Sequence, residues 1–230
     1  INGAKCWITN GTMADVAVIW ARLSEKIRGF LVETDRPGFE ARPIKGKWSF
    51  RASDTAELFL DNVEVPKTAL LPDSRSVGSA LQCLNQARTG IAWGVIGAAS
   101  ACFEETLRHL MERTQFDGKP LASHQLIQGK LAWMAIEITG MQLIAKRLAE
   151  LKRTDNVSSH HISLAKMNNC RKALEIARTC RELLGASGIH DEYHVGRHMV
   201  NLETVITYEG TENIHALVLG QHLTDIKAYS

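Results

Sequence analysis

The 230-residue sequence predicts an α+β protein in which a β-rich piece precedes a bundle of helices. Two observations support this class. Short apolar runs between turn residues fill residues 1–66, which is typical of β-strands. From about Ser76 onward, apolar residues recur every three or four positions over long stretches, which is typical of packed helices.

The apolar runs in the first part predict strands at residues 14–20, 30–33, 56–60 and 63–65. Arg36-Pro37-Gly38 and Asp61-Asn62 predict turns, and Pro66 is expected to end the last strand. Ile1 has a strand-like setting, and Asn2-Gly3 is a hairpin signal without a preceding strand. We therefore expect the chain to be a fragment cut within a sheet.

The clearest predicted helix covers residues 125–151, and two similar stripes predict long helices on either side of it. The three stripes consist of Ile127, Leu131, Met134, Ile138, Met141, Ala145 and Leu148; of Leu84, Ile91, Val95, Ala98 and Cys102; and of Met167, Cys170, Leu174, Ala177 and Leu184. Gly185–Gly188 is expected to interrupt the third helix. A short helix from Glu192 and a final helix over 212–227 complete the predicted bundle.

Composition excludes several classes of protein. A net charge of +2 argues against a dedicated nucleic-acid binder. No run of 18 apolar residues is present, which argues against a membrane span. The 5 cysteines are odd in number and lack CxxC spacing, so they fit packed thiols in a reducing compartment.

The segment from Tyr208 to His215 holds the strongest candidate for acid–base chemistry. Glu209 lies between an aromatic residue that can desolvate it and a glycine that permits close approach of a ligand. Such surroundings raise the pKa of a carboxyl group towards the value that a general base needs. Alternatively, Glu209 is a residue at the start of a helix, attracted by the helix dipole. The octapeptide by itself leaves both interpretations open.

Metal binding is the weaker interpretation of two histidine patterns. His190, His194 and His198 lie four residues apart and would share a helical face, but they lack the His-Glu-x-x-His order. Glu212-x-x-His215 resembles half of a di-iron site, yet no second copy is present in the sequence. We predict no metal site.

Three further segments contain residues that are able to bind a cofactor, and each segment also has a purely structural interpretation. Trp7 and Thr9 would share one strand face, either against an aromatic cofactor or in core packing. The segment 113–121 offers a guanidinium and an aromatic ring, or simply a charged helix end. Gly185–Gly188 lacks the dinucleotide fingerprint, although its backbone amides can meet a phosphate or an adenine.

Taken together, these segments resemble the acyl-CoA dehydrogenase family over nearly the whole chain. The resemblance rests on Trp-Ile-Thr-Asn at 7–10, Arg-x-Gln-Phe at 113–116 and Tyr-Glu-Gly-Thr at 208–211. Residues 84–94, 191–195, 201–203 and 212–217 look most like the glutaryl-CoA dehydrogenase branch. The family's fold implies a partial antiparallel β-domain at 1–66 that faces the flavin. It also implies a C-terminal up-and-down four-helix bundle at 75–230 that is used in assembly of a homotetramer.

The resemblance also implies FAD as the cofactor and Glu209 as the catalytic base. Some relatives carry the base at the position of Ala87, which cannot serve here. The implied contacts to the substrate are Leu84, Asn85, Arg88, Tyr208 and Gly210. The implied contacts to FAD are Trp7, Ile8, Thr9, Arg113, Phe116, Gln125, Glu182, Leu183, Leu184, Gly185, Ala186, Thr211 and Tyr229. Ala186 stands where many relatives have glycine.

The implied reaction is oxidative decarboxylation of glutaryl-CoA to crotonyl-CoA and CO2, a step of lysine and tryptophan degradation. Electrons would pass from FAD to an electron-transfer flavoprotein. The expected location is a bacterial cytoplasm or a mitochondrial matrix. Two alternatives stay open: a non-decarboxylating short-chain acyl-CoA dehydrogenase, and a non-catalytic oligomerisation fragment.

Overall fold

The computed structural model describes residues 1–228, so the predicted flavin contact Tyr229 lies outside the described residues. The chain divides into two compact units, residues 1–84 and residues 85–230. The first unit contains the five longer strands, and helices make up most of the second unit, which confirms the α+β class. Among the described residues, no helix combines the length and apolar character needed to cross a membrane.

The first unit contains two antiparallel sheets. Its strands are β1 (Gly3–Thr9), β2 (Val16–Leu23), β3 (Lys26–Glu33), β4 (Phe39–Pro43) and β5 (Thr55–Leu60). β2 and β3 form a hairpin, and the other three strands pair in the order β1-β5-β4. Alternate residues of β5 (Ala56, Leu58 and Leu60) are buried in the core of this unit, as expected for a strand with one face on the core.

In this unit one predicted strand is absent, and one observed strand was not predicted. Residues 63–65 are not a strand, although Val63 exchanges backbone hydrogen bonds with Ile1 and is buried. Their apolar character reflects the burial of Val63. The sequence analysis missed β4 because Glu40 and Arg42 interrupt its apolar pattern, and these two side chains pair with each other at 2.7 Å on the exposed face.

The alternation assumed for Trp7 and Thr9 is broken by a bulge in β1. The pairing of β1 with β5 shifts register between Lys5 and Ile8, and Trp7 has a positive φ of 61°. Both Trp7 and Thr9 are nevertheless exposed, while Ile8 between them packs partly against the core. The bulge, and not regular strand geometry, therefore sets the direction of the indole.

The second unit consists mainly of helices. The described helices of the chain are α1 (Val77–Glu112), α2 (Gln125–Arg153), α3 (Ser159–Leu183), α4 (Val195–Thr207) and α5 (Glu212–Thr224). The first residues of α1 belong to the first unit by position. Two short strands, β6 (Thr114–Gln115) and β7 (Lys119–Pro120), form the turn between α1 and α2.

These helices pack along the predicted stripes of apolar residues. Met134, Met141, Ala145 and Leu148 of the α2 stripe are buried, as are Val95 and Cys102 of α1 and Cys170, Leu174 and Ala177 of α3. Asn169 is also fully buried, and its amide donates hydrogen bonds to the carbonyl oxygens of Ala92 (2.9 Å) and Met141 (3.1 Å). One polar side chain on α3 thus joins α1 and α2.

The histidine pattern does not form a helical face, because α4 begins only at Val195. His190 follows the 3-10 turn Gly185–Ile189, His194 is the residue before α4, and His198 lies within the helix. The helix predicted from Glu192 therefore starts three residues later. Within residues 1–228, no group of three or more His, Cys, Asp or Glu side chains is arranged to hold a metal ion.

Candidate active site

Glu209 lies in the short loop between α4 and α5, in the second unit. Its φ is 54°, and that of Gly210 is 93°, so two consecutive residues have a left-handed backbone. For a glutamate this conformation costs on the order of 1–3 kcal/mol and persists only where the surroundings fix it. Contacts from neighbouring elements must therefore hold this loop in place.

Two cationic side chains hold the backbone of this loop. Arg88 Nε, on α1, donates to the carbonyl oxygen of Glu209 at 2.6 Å. Lys166 Nζ, on α3, donates to the carbonyl oxygens of Tyr208 (2.6 Å) and Gly210 (2.7 Å). Three consecutive carbonyl groups thus accept charge-assisted hydrogen bonds, which are among the stronger hydrogen bonds in proteins.

The carboxylate of Glu209 is left available by this arrangement. Its Oε2 atom is buried and, among the described residues, has no hydrogen-bond partner. A buried polar atom without a partner is costly, so this oxygen is a candidate for contact with a ligand or for proton transfer. The alternative in which Glu209 merely begins a helix is not supported, because Glu212 is the first residue of α5 and Thr211 is its N-cap.

His215 lies beneath Gly210 and is 1% exposed. Its Nδ1 is 3.0 Å from Ser163 Oγ, and a Cβ atom at position 210 would lie only 3.1 Å from its Nε2. Burial, followed by the charges of Lys166 and Arg88, lowers the pKa of His215 to about 4. The imidazole is therefore neutral at physiological pH, and the glycine leaves room for it.

A stability prediction follows from the pKa of His215. Because the pKa is lower in the folded protein (about 4, from 6.5), the unfolded chain binds the extra proton as the pH falls through this range. Stability should therefore decrease from pH 6.5 to pH 4, by on the order of 3 kcal/mol at most from this group. His215→Gln should lose this part of the pH dependence in urea unfolding. The control His190→Gln, at an exposed position, should keep it; equal slopes in all three proteins would contradict the prediction.

The predicted substrate residues of the second unit lie around the same loop. Arg88 Nη1 donates to Asn85 Oδ1 at 3.3 Å, one turn earlier on α1, while Leu84 is the last residue of the first unit. Tyr208, whose pKa is raised by burial, and Gly210 flank the glutamate. Thr211, predicted to contact FAD, accepts a hydrogen bond from the Ile214 amide and so begins α5. The structure brings Asn85, Arg88, Tyr208 and Gly210 to Glu209.

Most of the residues predicted to hold the ADP half of FAD line one open groove of about 690 Å³. Arg113 lies on one side, and residues 182–186 lie on the other, at the end of α3 and the start of the 3-10 turn. Gly185 has a φ of 57°, which permits the sharp change of direction after α3. The groove thus brings a guanidinium and the backbone groups of a turn to one open cavity.

Two predicted flavin contacts lie outside this groove. Phe116 is 72% exposed at the tip of the β6–β7 turn, where its ring contacts His124 edge to face at 5.5 Å between centroids. Gln125 is the exposed first residue of α2. Within this chain neither residue belongs to the groove-lining set.

The remaining predicted contacts, Trp7, Ile8 and Thr9, belong to the first unit. Ile8 and Thr9 line a mostly apolar cavity of about 260 Å³, whereas Trp7 is 66% exposed. This exposure excludes the alternative in which Trp7 packs in the core of its own unit.

The sequence analysis missed several residues of both sites. Lys166, Ser163 and His215 lie behind Glu209, while Gln115 and Tyr193 also line the groove. A signal for Lys166 was present: it occupies the buried stripe of α3 one turn before Cys170, where a lysine is rare unless it is paired.

Comparison with known proteins places this geometry in a family. Residues 1–63 match the middle domain of acyl-CoA dehydrogenases, and residues 77–224 match their C-terminal domain. The chain therefore belongs to the acyl-CoA dehydrogenase family. A probable short/branched chain specific acyl-CoA dehydrogenase of Dictyostelium discoideum is 33% identical over 229 residues, which cover 97% of this chain and 55% of that protein.

Two solved structures are more similar to this chain than that relative is. A glutaryl-CoA dehydrogenase of Mycobacterium smegmatis is 52% identical with a TM-score of 0.97, over 100% of this chain and 59% of that chain. A second structure of a glutaryl-CoA dehydrogenase from that organism, in complex with FADH2, is 49% identical with the same TM-score and coverage. The chain thus spans between 55% and 59% of the length of these three relatives.

Proposed function

We propose that this chain forms the base-bearing and FAD-binding part of a glutaryl-CoA dehydrogenase, which oxidises and decarboxylates glutaryl-CoA to crotonyl-CoA and CO2. The single observation that carries the proposal is the buried, unpartnered Oε2 of Glu209, among the described residues, on a backbone held by two cations. The choice of glutaryl-CoA within the family is supported by the 52% identity to the glutaryl-CoA dehydrogenase of M. smegmatis.

Glu209 would remove the α-proton of the thioester. That proton is weakly acidic, so its removal needs a placed carboxylate and stabilisation of the thioester carbonyl oxygen. The fixed loop provides the placement, because the carbonyl groups on both sides of Glu209 are held and only its side chain is free to move. Arg88, Asn85, Leu84, Tyr208 and Gly210 would surround the acyl chain.

The groove at the end of α3 fits the ADP half of FAD. Arg113 would pair with a phosphate, the backbone of residues 184–186 would meet the adenine end, and Glu182 and Leu183 would line the wall. Phe116 and Gln125, which lie outside this groove, would contact FAD of another subunit in a homotetramer. Trp7, Ile8, Thr9 and Thr211 would contact the flavin end. When bound, FAD accepts the hydride from the β-carbon of the substrate.

Decarboxylation would follow from the chemistry of the oxidised product. A glutaconyl thioester has a distal carboxylate that is vinylogous to a β-keto acid, so loss of CO2 leaves a dienolate. Glu209, protonated in the first step, would return its proton to this dienolate and release crotonyl-CoA. The electrons would leave through an electron-transfer flavoprotein, in a bacterial cytoplasm or a mitochondrial matrix.

Product analysis tests the substrate and the decarboxylation together. Incubation of the FAD-loaded enzyme with glutaryl-CoA and an electron acceptor should release crotonyl-CoA and CO2 in equal amounts. Butyryl-CoA serves as the control, because it offers the same α- and β-positions without a distal carboxylate. Accumulation of glutaconyl-CoA without CO2, or faster turnover of butyryl-CoA, would instead assign a non-decarboxylating short-chain enzyme.

A further inference from the structure

Lys166 is an unusual residue for the interior of a helical unit. It lies on α3, it is 1% exposed, and it is among the largest fully buried side chains. Burial of an ammonium group is expensive unless its hydrogen bonds are satisfied. Here two of its three donors are used by carbonyl oxygens, those of Tyr208 and Gly210. These two hydrogen bonds offset part of the free-energy cost of burying the ammonium group.

The contacts of Lys166 bracket Glu209 symmetrically. One hydrogen bond fixes the residue before the glutamate and the other fixes the residue after it, while Arg88 holds the carbonyl oxygen of the glutamate itself. Between these fixed points the backbone of Glu209 has the left-handed conformation with a φ of 54°. Without the ammonium group, two carbonyl oxygens would lose their partner, and an extended conformation would relieve the backbone strain.

The groups that face Lys166 come from every element packed around it. Arg88 lies on α1, Cys170 on α3, Tyr208 and Glu209 in the loop, and His215 on α5. Burial lowers the pKa of Lys166, and Arg88 lowers it further, whereas Cys170 and Glu209 act in the opposite direction. Burial raises the pKa of Cys170 to about 11, and His215 is neutral. Arg88 and Lys166 thus both lie at the loop that carries Glu209.

We propose that Lys166 is a positioning residue for Glu209: by holding the carbonyl oxygens on both sides of the glutamate, it fixes the left-handed backbone that aims the carboxylate. This inference rests on the proposed function, in which Glu209 is the base. It assigns α3, and not only the loop, to the catalytic machinery.

The test compares variants of the FAD-loaded enzyme by the rate at which an acyl-CoA thioester reduces the flavin, measured across pH. Lys166→Met keeps an unbranched side chain, one atom shorter than that of lysine, and removes the charge and both hydrogen bonds. We expect the limiting rate to fall on the order of 10²-fold, because a small displacement of a base has this effect. We expect this loss at every pH tested, with little change in KM, because Lys166 contacts only the backbone of the loop.

Two further variants make the result decisive. Lys166→Gln retains a neutral N–H donor, so it should lose less of the limiting rate than Lys166→Met. Lys172→Met removes a cation from the same helix, where Lys172 pairs with Glu137 and Glu175, and should change neither quantity. If Lys166→Met does not fold, Lys166→Gln decides the question by a reduced limiting rate at an unchanged KM.

A wild-type limiting rate in Lys166→Met, or in Lys166→Gln where that variant decides, would overturn the proposal, as would an equal loss of rate in Lys172→Met. Glu209→Gln, measured in the same series, separates this failure from a failure of the proposed function. An inactive Glu209→Gln beside unaffected Lys166 variants removes only the positioning role. Flavin reduction that survives Glu209→Gln removes the assignment of the base, and the role of Lys166 with it.

Discussion

Glu209→Gln is expected to slow the reduction of FAD by an acyl-CoA thioester by roughly 10²- to 10⁴-fold, the range that general-base catalysis contributes. The substitution keeps the shape of the side chain but removes its ability to accept the α-proton. Arg88 and Lys166 hold the backbone carbonyl oxygens of the loop and not the side chain of Glu209, so the loop should keep its conformation. FAD content should stay unchanged, because the groove that would hold its ADP half does not include Glu209.

Glu212→Gln is the matched control for this prediction. Glu212 lies three residues away in the first turn of α5 and forms an ion pair with Arg171. Its loss should change the rate of flavin reduction by no more than a few fold, since a partly exposed ion pair contributes little. The measurement is bleaching of the flavin absorption band in single-turnover experiments. Rapid bleaching in the Glu209 variant would show that another group takes the proton.

Asn169→Asp should be the most destabilising of the substitutions considered, with a loss of about 3–5 kcal/mol in the free energy of unfolding at neutral pH. The buried amide donates to the carbonyl oxygens of Ala92 and Met141. A carboxylate at the same place has no proton to donate, and it would face both oxygens within the core. The loss would loosen the junction of α1, α2 and α3, which is measurable by urea unfolding.

The pH dependence of this variant gives a second, independent readout. Burial beside two carbonyl groups would raise the pKa of the introduced carboxyl above its value in the unfolded chain. The folded state then binds more protons than the unfolded state, so the stability defect should shrink as the pH falls. Asn169→Leu, which loses the hydrogen bonds without adding charge, should cost about 1–3 kcal/mol at every pH. Asn156→Asp, at an exposed site, should cost almost nothing; a defect of equal size there would contradict this explanation.

The helices were predictable because the spacing of apolar residues along the sequence indicates both a helix and the face of that helix that is buried. The α2 stripe from Ile127 to Leu148 lies within one long helix, and its later members are buried. The strands were predicted less well, since a short apolar run does not distinguish a paired strand from a buried extended segment such as that at Val63. A polar face, as in β4, hides a strand altogether.

The candidate site likewise contains residues that the local sequence indicates and residues that only the tertiary structure reveals. Glu209 became a candidate from its neighbours in sequence, whereas its choice as the base, and the assignment of Arg113 and residues 182–186 to FAD, followed from the resemblance of short contiguous motifs to the family. Lys166 and His215 were missed because their function depends on a loop 42 residues away for the lysine and on Ser163, 52 residues away, for the histidine. No local pattern encodes such partners.

The sequence by itself therefore determined the α+β class, the position of the carboxylate and the family, since periodicity and short motifs are local properties. Only the tertiary structure decided how that carboxylate is held. The left-handed backbone at Glu209 is unfavourable in isolation, and it exists because α1 and α3 bring two cations to three consecutive carbonyl groups. That convergence is a property of helix packing, and no single segment of the chain contains it.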